Sequence, residues 1–442
     1  MCVVLGRLSR DGASGQQDVV SIRDEVAEVG GAEEEEDASP ARRSAPERIV
    51  HVVILTVAFR TATEAYGPLG LVVDGRLTAS GRLIWPLVAA VSAVLLLRVP
   101  PAQRRLAPTA LMVLVGAVAA STLWSSDRPR TAYQAIVLIA ILLAGSALAS
   151  RHTPNSALLL VARYLAVAVV VNAACAITGL SDPLSSGALM EHKNLLGLMA
   201  GAASLTAVCA RRLLDGWRAV VMTSSAVVGV VVTFASDART SLFSAAAAGF
   251  VLIVMRLRQR RHQGLAVAVG SASLAAALLF VRRVGGIDGV LRASGKDATL
   301  TGRTEIWTAV LEVAHQHPIL GRGFFSLWGD ATIARLDISV FDRFTVRSSH
   351  NGYLEMYLGV GIVGLAVLLL ALVAVGRQSL ERARSGSVAG LWAVAICVLA
   401  AVHNLDESVV PGSVQTMMFM LLVIATACPP RRSRAAAGAR AV

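Results

Sequence analysis

Residues 352–375 read GYLEMYLGVGIVGLAVLLLALVAV, an apolar run with one carboxylate, Glu355, near its start. Crossing a hydrocarbon core of about 30 Å takes roughly 20 apolar residues in a helix, and this run is long enough. Its apolar positions are continuous instead of alternating, the pattern of a lipid-spanning helix and not of a barrel strand. Outward from it, runs of the same character lie at 49–66, 82–98, 107–124, 134–149, 157–178, 194–210, 218–235, 240–256, 264–281, 388–402 and 413–428. The sequence therefore predicts an all-α membrane protein, a bundle of about 12 transmembrane helices, or of eleven if the first run, interrupted by Arg60 and Glu64, does not span.

The composition agrees. Of 442 residues, 55% are hydrophobic and 16% charged, a poor match to a soluble domain. The net charge of +12 does not indicate nucleic acid, because the basic residues sit in short clusters between apolar runs and not on one polar face. Cys2, Cys175, Cys209, Cys397 and Cys428 are scattered, mostly inside apolar runs, without metal-ligand spacing, and read as helix-packing residues.

Charge also orients the bundle. One set of short connections carries Arg98, Arg104, Arg105, Arg151, Arg211, Arg212, Arg218, Arg256, Arg258, Arg260, Arg261, Arg377, Arg382, Arg384, Arg431, Arg432, Arg434 and Arg440. The opposite set carries only Arg76, Arg82, Arg128, Arg130, Lys193 and Arg239. Lys and Arg mark cytoplasmic loops, so the first set and both termini are expected in the cytoplasm of a cell-membrane protein.

The organisation follows: a disordered tail at 1–47 with its Glu33–Asp37 acidic run, helices one to nine over 48–281, an extracytoplasmic loop at 282–351, helices ten to twelve over 352–428, and a basic tail at 429–442. The tail is not a secretory signal peptide, since no apolar h-region follows the start. Within the long loop, Arg303–His317 reads as an amphipathic helix with Ile306, Trp307, Val310, Leu311 and Ala314 on one side and Pro318 at its end. No internal repeat is visible.

Polar residues able to do chemistry gather on the outward side. Glu191-His192-Lys193-Asn194 precedes the sixth run; its plain reading is an interfacial turn with a snorkelling lysine. Ser236-Asp237-Ala238-Arg239-Thr240-Ser241 packs two charges and three hydroxyls between the seventh and eighth. Arg239 there suits an anionic headgroup, because its planar fork donates two parallel hydrogen bonds to phosphate. In the long loop, Thr301-Gly302-Arg303-Thr304-Glu305-Ile306-Trp307 and Ser348-Ser349-His350-Asn351-Gly352-Tyr353-Leu354-Glu355 stand out. His350, at the mouth of the tenth helix, is either a capping residue or a base for a sugar hydroxyl.

Those two stretches, with His317-Pro318-Ile319-Leu320-Gly321-Arg322-Gly323-Phe324 between them, resemble the O-antigen ligase and polymerase superfamily in residues and in order. Lys193-Asn194 and the Ser236–Ser241 turn look like two further marks of it, so the resemblance covers roughly residues 120–425. The resemblance implies an inverting, metal-independent, cofactor-free glycosyltransferase acting on polyprenyl-diphosphate-linked (undecaprenyl-type) glycan at the outer face of the cytoplasmic membrane. Carried across, Arg239 and Arg303 would hold the diphosphate and His350 would orient or deprotonate the acceptor hydroxyl. Lys193, Asn194, Asn351, Tyr353, Glu355 and Glu305 would bind substrate. Thr299–Arg303 and Asn404-Leu405-Asp406-Glu407-Ser408 look more like exopolysaccharide polymerases than ligases, while Asp-Ala-Arg at 237–239 departs from the commoner Ser-Arg form of that turn.

The expected activity is therefore polymerisation of surface or exopolysaccharide repeat units. The alternative is ligase-type transfer of finished glycan to a lipid, wall polymer or protein. Expected partners are the lipid-linked donor, a glycan or lipid acceptor, membrane lipids and other polysaccharide assembly proteins, with no nucleic acid. A transporter of lipid-linked sugar is the competing class, and it predicts polar or Gly/Pro-broken spans near the midplane. A scaffold whose His350 and arginines are merely interfacial is the third.

Overall fold

The computed structural model describes residues 45–59, 72–73, 76–77, 83–178, 193–259, 303–328, 348–411 and 416–427. It divides into two units, 1–50 and 51–442. In the first, residues 45–50 are helical; the second holds the rest. The helices are α1 Ala45–Phe59, α2 Ile84–Leu97, α3 Thr109–Ala120, α4 Arg128–Ser150, α5 Pro154–Ile177, α6 Lys193–Ala210, α7 Gly216–Ala235, α8 Arg239–Gln259, α9 Arg303–His315, α10 Gly352–Arg384, α11 Val388–His403 and α12 Thr416–Thr426. One small antiparallel pair, β1 Val72–Val73 with β2 Arg76–Leu77, departs from the all-α expectation.

Every apolar run of the sequence contains a helix except 264–281, which lies outside the described residues. So do residues 1–44 (with Cys2), the loop segments 282–302 and 329–347, Glu191, His192, Cys428 and the 429–442 tail, whereas residues 45–47 of the expected 1–47 tail are helical. Among the described residues six helices, α4 to α8 and α10, are long and apolar enough to cross a membrane, and the chain is a polytopic membrane protein. The apolar helices α2, α3 and α11 are shorter than the full spans expected of them, and α12 is described over Thr416–Thr426. All of its residues are buried, and Arg382 of α10 donates from Nη2 to the carbonyls of Thr426 (3.2 Å) and Ala427 (2.9 Å), so protein and not lipid meets its open end.

Local sequence sets the helix starts. Asp127 accepts from the Arg130 amide at 3.2 Å with Pro129 in the first turn of α4, and Ser387 accepts from Gly390 at the start of α11. Helices α11 and α6 are almost wholly buried, and α11 packs against α6, α8, α10 and α12. By contrast α7 turns Val220, Val227, Val231 and Phe234 outward while Met222, Ala226, Gly229 and Thr233 face inward, a one-sided burial that leaves the first stripe to lipid.

The amphipathic reading of residues 303–317 meets α9. Its buried stripe is Ile306, Ala309, Val310, Val313 and Ala314, packed against α10; Trp307 and Leu311 sit at the margin of that stripe, half-buried. Helix α10 is broken at Gly361, which has φ 70 and ψ −165. The freed backbone is met by the His317–Phe324 segment: Ile362 N donates to Pro318 O (2.8 Å), while Arg322 N and Gly323 N donate to Leu358 O (3.1 Å) and Gly359 O (2.8 Å). Trp124 and Ser126 clamp the segment from its other side, donating to Leu320 O and Arg322 O. The break is thus a splice between two segments and not an open gap.

Candidate active site

The starts of α6, α8, α9 and α10 meet the turn that follows α11. Because α10 and α11 are consecutive and joined by a tight turn at Ser385–Ser387, α11 returns the chain to the level where α10 began. Asn404 folds the turn: its Oδ1 accepts from the amides of Val409 (3.0 Å) and Val410 (2.9 Å), and its carbonyl accepts from Gly352 N at 2.9 Å. Gly352 is required there, since a Cβ would lie 2.0 Å from Asn404 Oδ1.

This turn presents Asp406 and Glu407. Glu407 Oε1 accepts from Arg303 Nη2 (2.8 Å) and from Asn194 Nδ2 (2.7 Å), and its Oε2 meets His350 Nδ1 at 3.2 Å. Asp406 takes the other half of the Arg303 fork, through both its side chain and its carbonyl, and accepts from Thr240 Oγ1. The Glu407 side chain is 5% exposed and that of Arg303 15%, whereas His350 keeps 35%. Burial alone would push the Glu407 carboxyl up. The hydrogen bond and charge of His350, with the nearby Arg303 guanidinium, outweigh it and hold the group at about 2, against an ordinary 4.5.

His350 itself sits at φ 50, in the left-handed region that non-glycine residues rarely occupy. Its neighbours fix that conformation. Glu355 is buried and accepts from Trp328 Nε1 (2.6 Å), Ser349 N (3.0 Å) and Ser349 Oγ (2.9 Å); Trp307 Nε1 donates to Ser349 O at 2.9 Å. Asn351 caps α10 through the amides of Tyr353 and Leu354 and donates to Leu405 O at 2.9 Å. Backbone strain of this kind, held by its surroundings, is a mark of functional sites.

One residue away from Asn194 and from Thr240 lies a looser cluster. Lys193 Nζ and Arg239 Nε stand 3.5 Å and 3.7 Å from the two oxygens of Asp237, whose side chain is 58% exposed. Asp237 too is left-handed, at φ 49, and its turn rests on Gly197 of α6.

Thus the structure brings Asn194, Arg303 and His350 together directly, with Lys193 and Arg239 alongside. The remaining candidates make other contacts. Glu355 braces Ser349, Asn351 caps a helix, and Tyr353 donates to Ala401 O at 2.9 Å. Glu305 is exposed in the first turn of α9.

Residues 224–369, which contain Arg239, Arg303, the His317–Phe324 splice and His350, match the family described as O-Antigen ligase. This stretch is similar to the O-antigen ligase family. The chain is also similar to the exopolysaccharide production protein ExoQ of Rhizobium meliloti (strain 1021), with 29% identity over 195 residues. That match covers 42% of this chain and 39% of the relative.

Sequence reasoning gave Asp406 and Glu407 no role in the site, although it marked the Asn404–Ser408 run as family-like. The available signal was positional: an acidic pair directly after the apolar run that returns to the level of His350.

Proposed function

We propose that this protein transfers a polyprenyl-diphosphate-linked glycan to a sugar hydroxyl at the outer face of the cytoplasmic membrane, extending exopolysaccharide repeat units. The observation that carries this reading is the linked set of His350, Glu407, Arg303 and Asn194, half-open at His350, beside the exposed Lys193–Asp237–Arg239 cluster. Four helix starts converge there, bringing the positive ends of their dipoles to one place, which suits a diphosphate. The excess of Arg at the opposite ends supports an outward-facing site and cytoplasmic termini.

The chemistry follows from the side chains. The acceptor O–H gives its proton to His350 as its oxygen attacks the anomeric carbon. The bond from that carbon to the diphosphate oxygen breaks, and the electron pair leaves with the polyprenyl diphosphate. Lys193 and Arg239 meet the charge that develops there, because their contacts to Asp237 are long and exposed and so can be exchanged. Attack from the face opposite the leaving group inverts the anomeric centre.

A ligase reading is favoured by the description of the matched family, and a role in exopolysaccharide production by the name of the relative. One experiment separates them: the size of surface glycan and of its lipid-linked precursors in a deletion strain complemented with wild type or His350→Ala. Single repeat units accumulating without long chains indicates a polymerase. Full-length glycan stranded on the carrier indicates a ligase. Unchanged glycan and precursors would overturn both.

A further inference from the structure

Glu407 occupies the middle of the cluster, and its geometry makes a statement about the His350 ring. A carboxylate only accepts hydrogen bonds, so the nitrogen facing Glu407 Oε2 must carry the hydrogen. That nitrogen is Nδ1. In neutral His350 the lone pair therefore lies on Nε2, which has no hydrogen-bond partner among the described residues.

We propose that Glu407 is the positioning residue of this site, fixing His350 as the Nδ1–H tautomer with Nε2 aimed at the acceptor, and that Arg303 and Asn194 hold Glu407 in place. This rests on the glycosyl-transfer reading above.

Two further observations bear on it. Both Glu407 oxygens are committed, Oε1 to Arg303 and Asn194 and Oε2 to His350, so the carboxylate cannot rotate without losing a partner. The Arg303 fork is spent on Asp406 and Glu407, in contrast to the loosely held Arg239. During transfer the acceptor proton moves to Nε2, the new glycosidic bond forms, and the diphosphate departs with its electron pair. The imidazolium left behind is stabilised by the Glu407 carboxylate at Nδ1, as in carboxylate–histidine pairs generally.

The test uses the full chain in lipid nanodiscs with 15N-labelled histidine at about pH 8, where an ordinary imidazole is neutral. The spectrum of wild type is compared with that of His350→Ala, to assign the ring, and with Glu407→Gln. The expected result is Nδ1–H in wild type and loss of that single tautomer in Glu407→Gln. In parallel, Glu407→Gln lowers kcat by about 10²- to 10⁴-fold, the scale seen when a carboxylate orienting a histidine base is neutralised, while KM for the lipid-linked donor stays within about threefold. Glu407→Asp keeps the charge and recovers part of kcat. Nε2–H in wild type, or Glu407→Gln with unchanged kcat, would overturn the proposal. If Glu407→Gln does not accumulate, the wild-type tautomer alone decides. Because that tautomer is read without turnover, a wild-type protein that transfers no glycan would defeat the functional reading and not this one.

Discussion

Replacing Arg303 with Ala leaves two carboxylates behind. Their side chains are 18% (Asp406) and 5% (Glu407) exposed, and Arg303 bridges them. Removing one partner of a buried ion pair costs about 3–5 kcal/mol, mostly from the uncompensated charge that remains. Folded proteins are stable by only about 5–15 kcal/mol, so the loss is a large share. Arg303→Ala should therefore unfold at markedly lower detergent stress in a titration from mild micelles into SDS, and its abundance in the membrane should fall. Arg303→Lys should recover little, since one ammonium does not span both acids as the fork does. The decisive variant is the triple Arg303→Ala, Asp406→Asn, Glu407→Gln. If orphaned charge is the cause, it regains at least half of the lost stability and remains inactive. Arg303→Ala within about 0.5 kcal/mol of wild type, or a triple variant less stable still, would rule out orphaned charge as the cause.

Other outcomes follow from the same geometry. Gly361→Ala puts a side chain at φ 70 and ψ −165, where its Cβ would lie 2.1 Å from Ile319 O. It should cost about 3 kcal/mol or more in the same SDS titration, since that backbone region is essentially glycine's alone. The Glu407 carboxyl is held at about 2 from an ordinary 4.5, so the unfolded chain takes up its proton first as pH falls. The stabilisation is complete above about pH 4.5 and lost between there and about 2; Glu407→Gln should lack that slope in thermal unfolding curves. Lys193→Met and Arg239→Ala should each raise donor KM about tenfold, worth about 1.4 kcal/mol, in a reconstituted assay. His350→Ala should instead lower kcat by about 10²- to 10⁴-fold with donor KM little changed.

Membrane architecture was legible because lipid imposes a length: a run such as 352–375 has few other uses. The amphipathic helix was also legible, but its buried stripe runs through Ala309 and Val313, leaving Trp307 and Leu311 at the edge. Small residues pack as well as large ones against α10, and side-chain size misled the reading. The work of His317–Phe324 was hidden because it is done by backbone, with carbonyls and amides spliced into the break at Gly361. The site was half legible. His350, Arg303 and Arg239 carry recognisable chemistry, whereas Glu407 meets Asn194 across a separation of 213 residues, and no local pattern announces that contact. Nor does sequence show that Arg303 meets two acids, Asp406 and Glu407.

Glycosyl transfer can be measured with the purified protein in proteoliposomes given a polyprenyl-diphosphate-linked oligosaccharide repeat unit and an acceptor glycan. Wild type should release polyprenyl diphosphate and lengthen the glycan, and His350→Ala should do neither. Donor left intact by folded wild-type protein, or equal product from His350→Ala, would contradict the account.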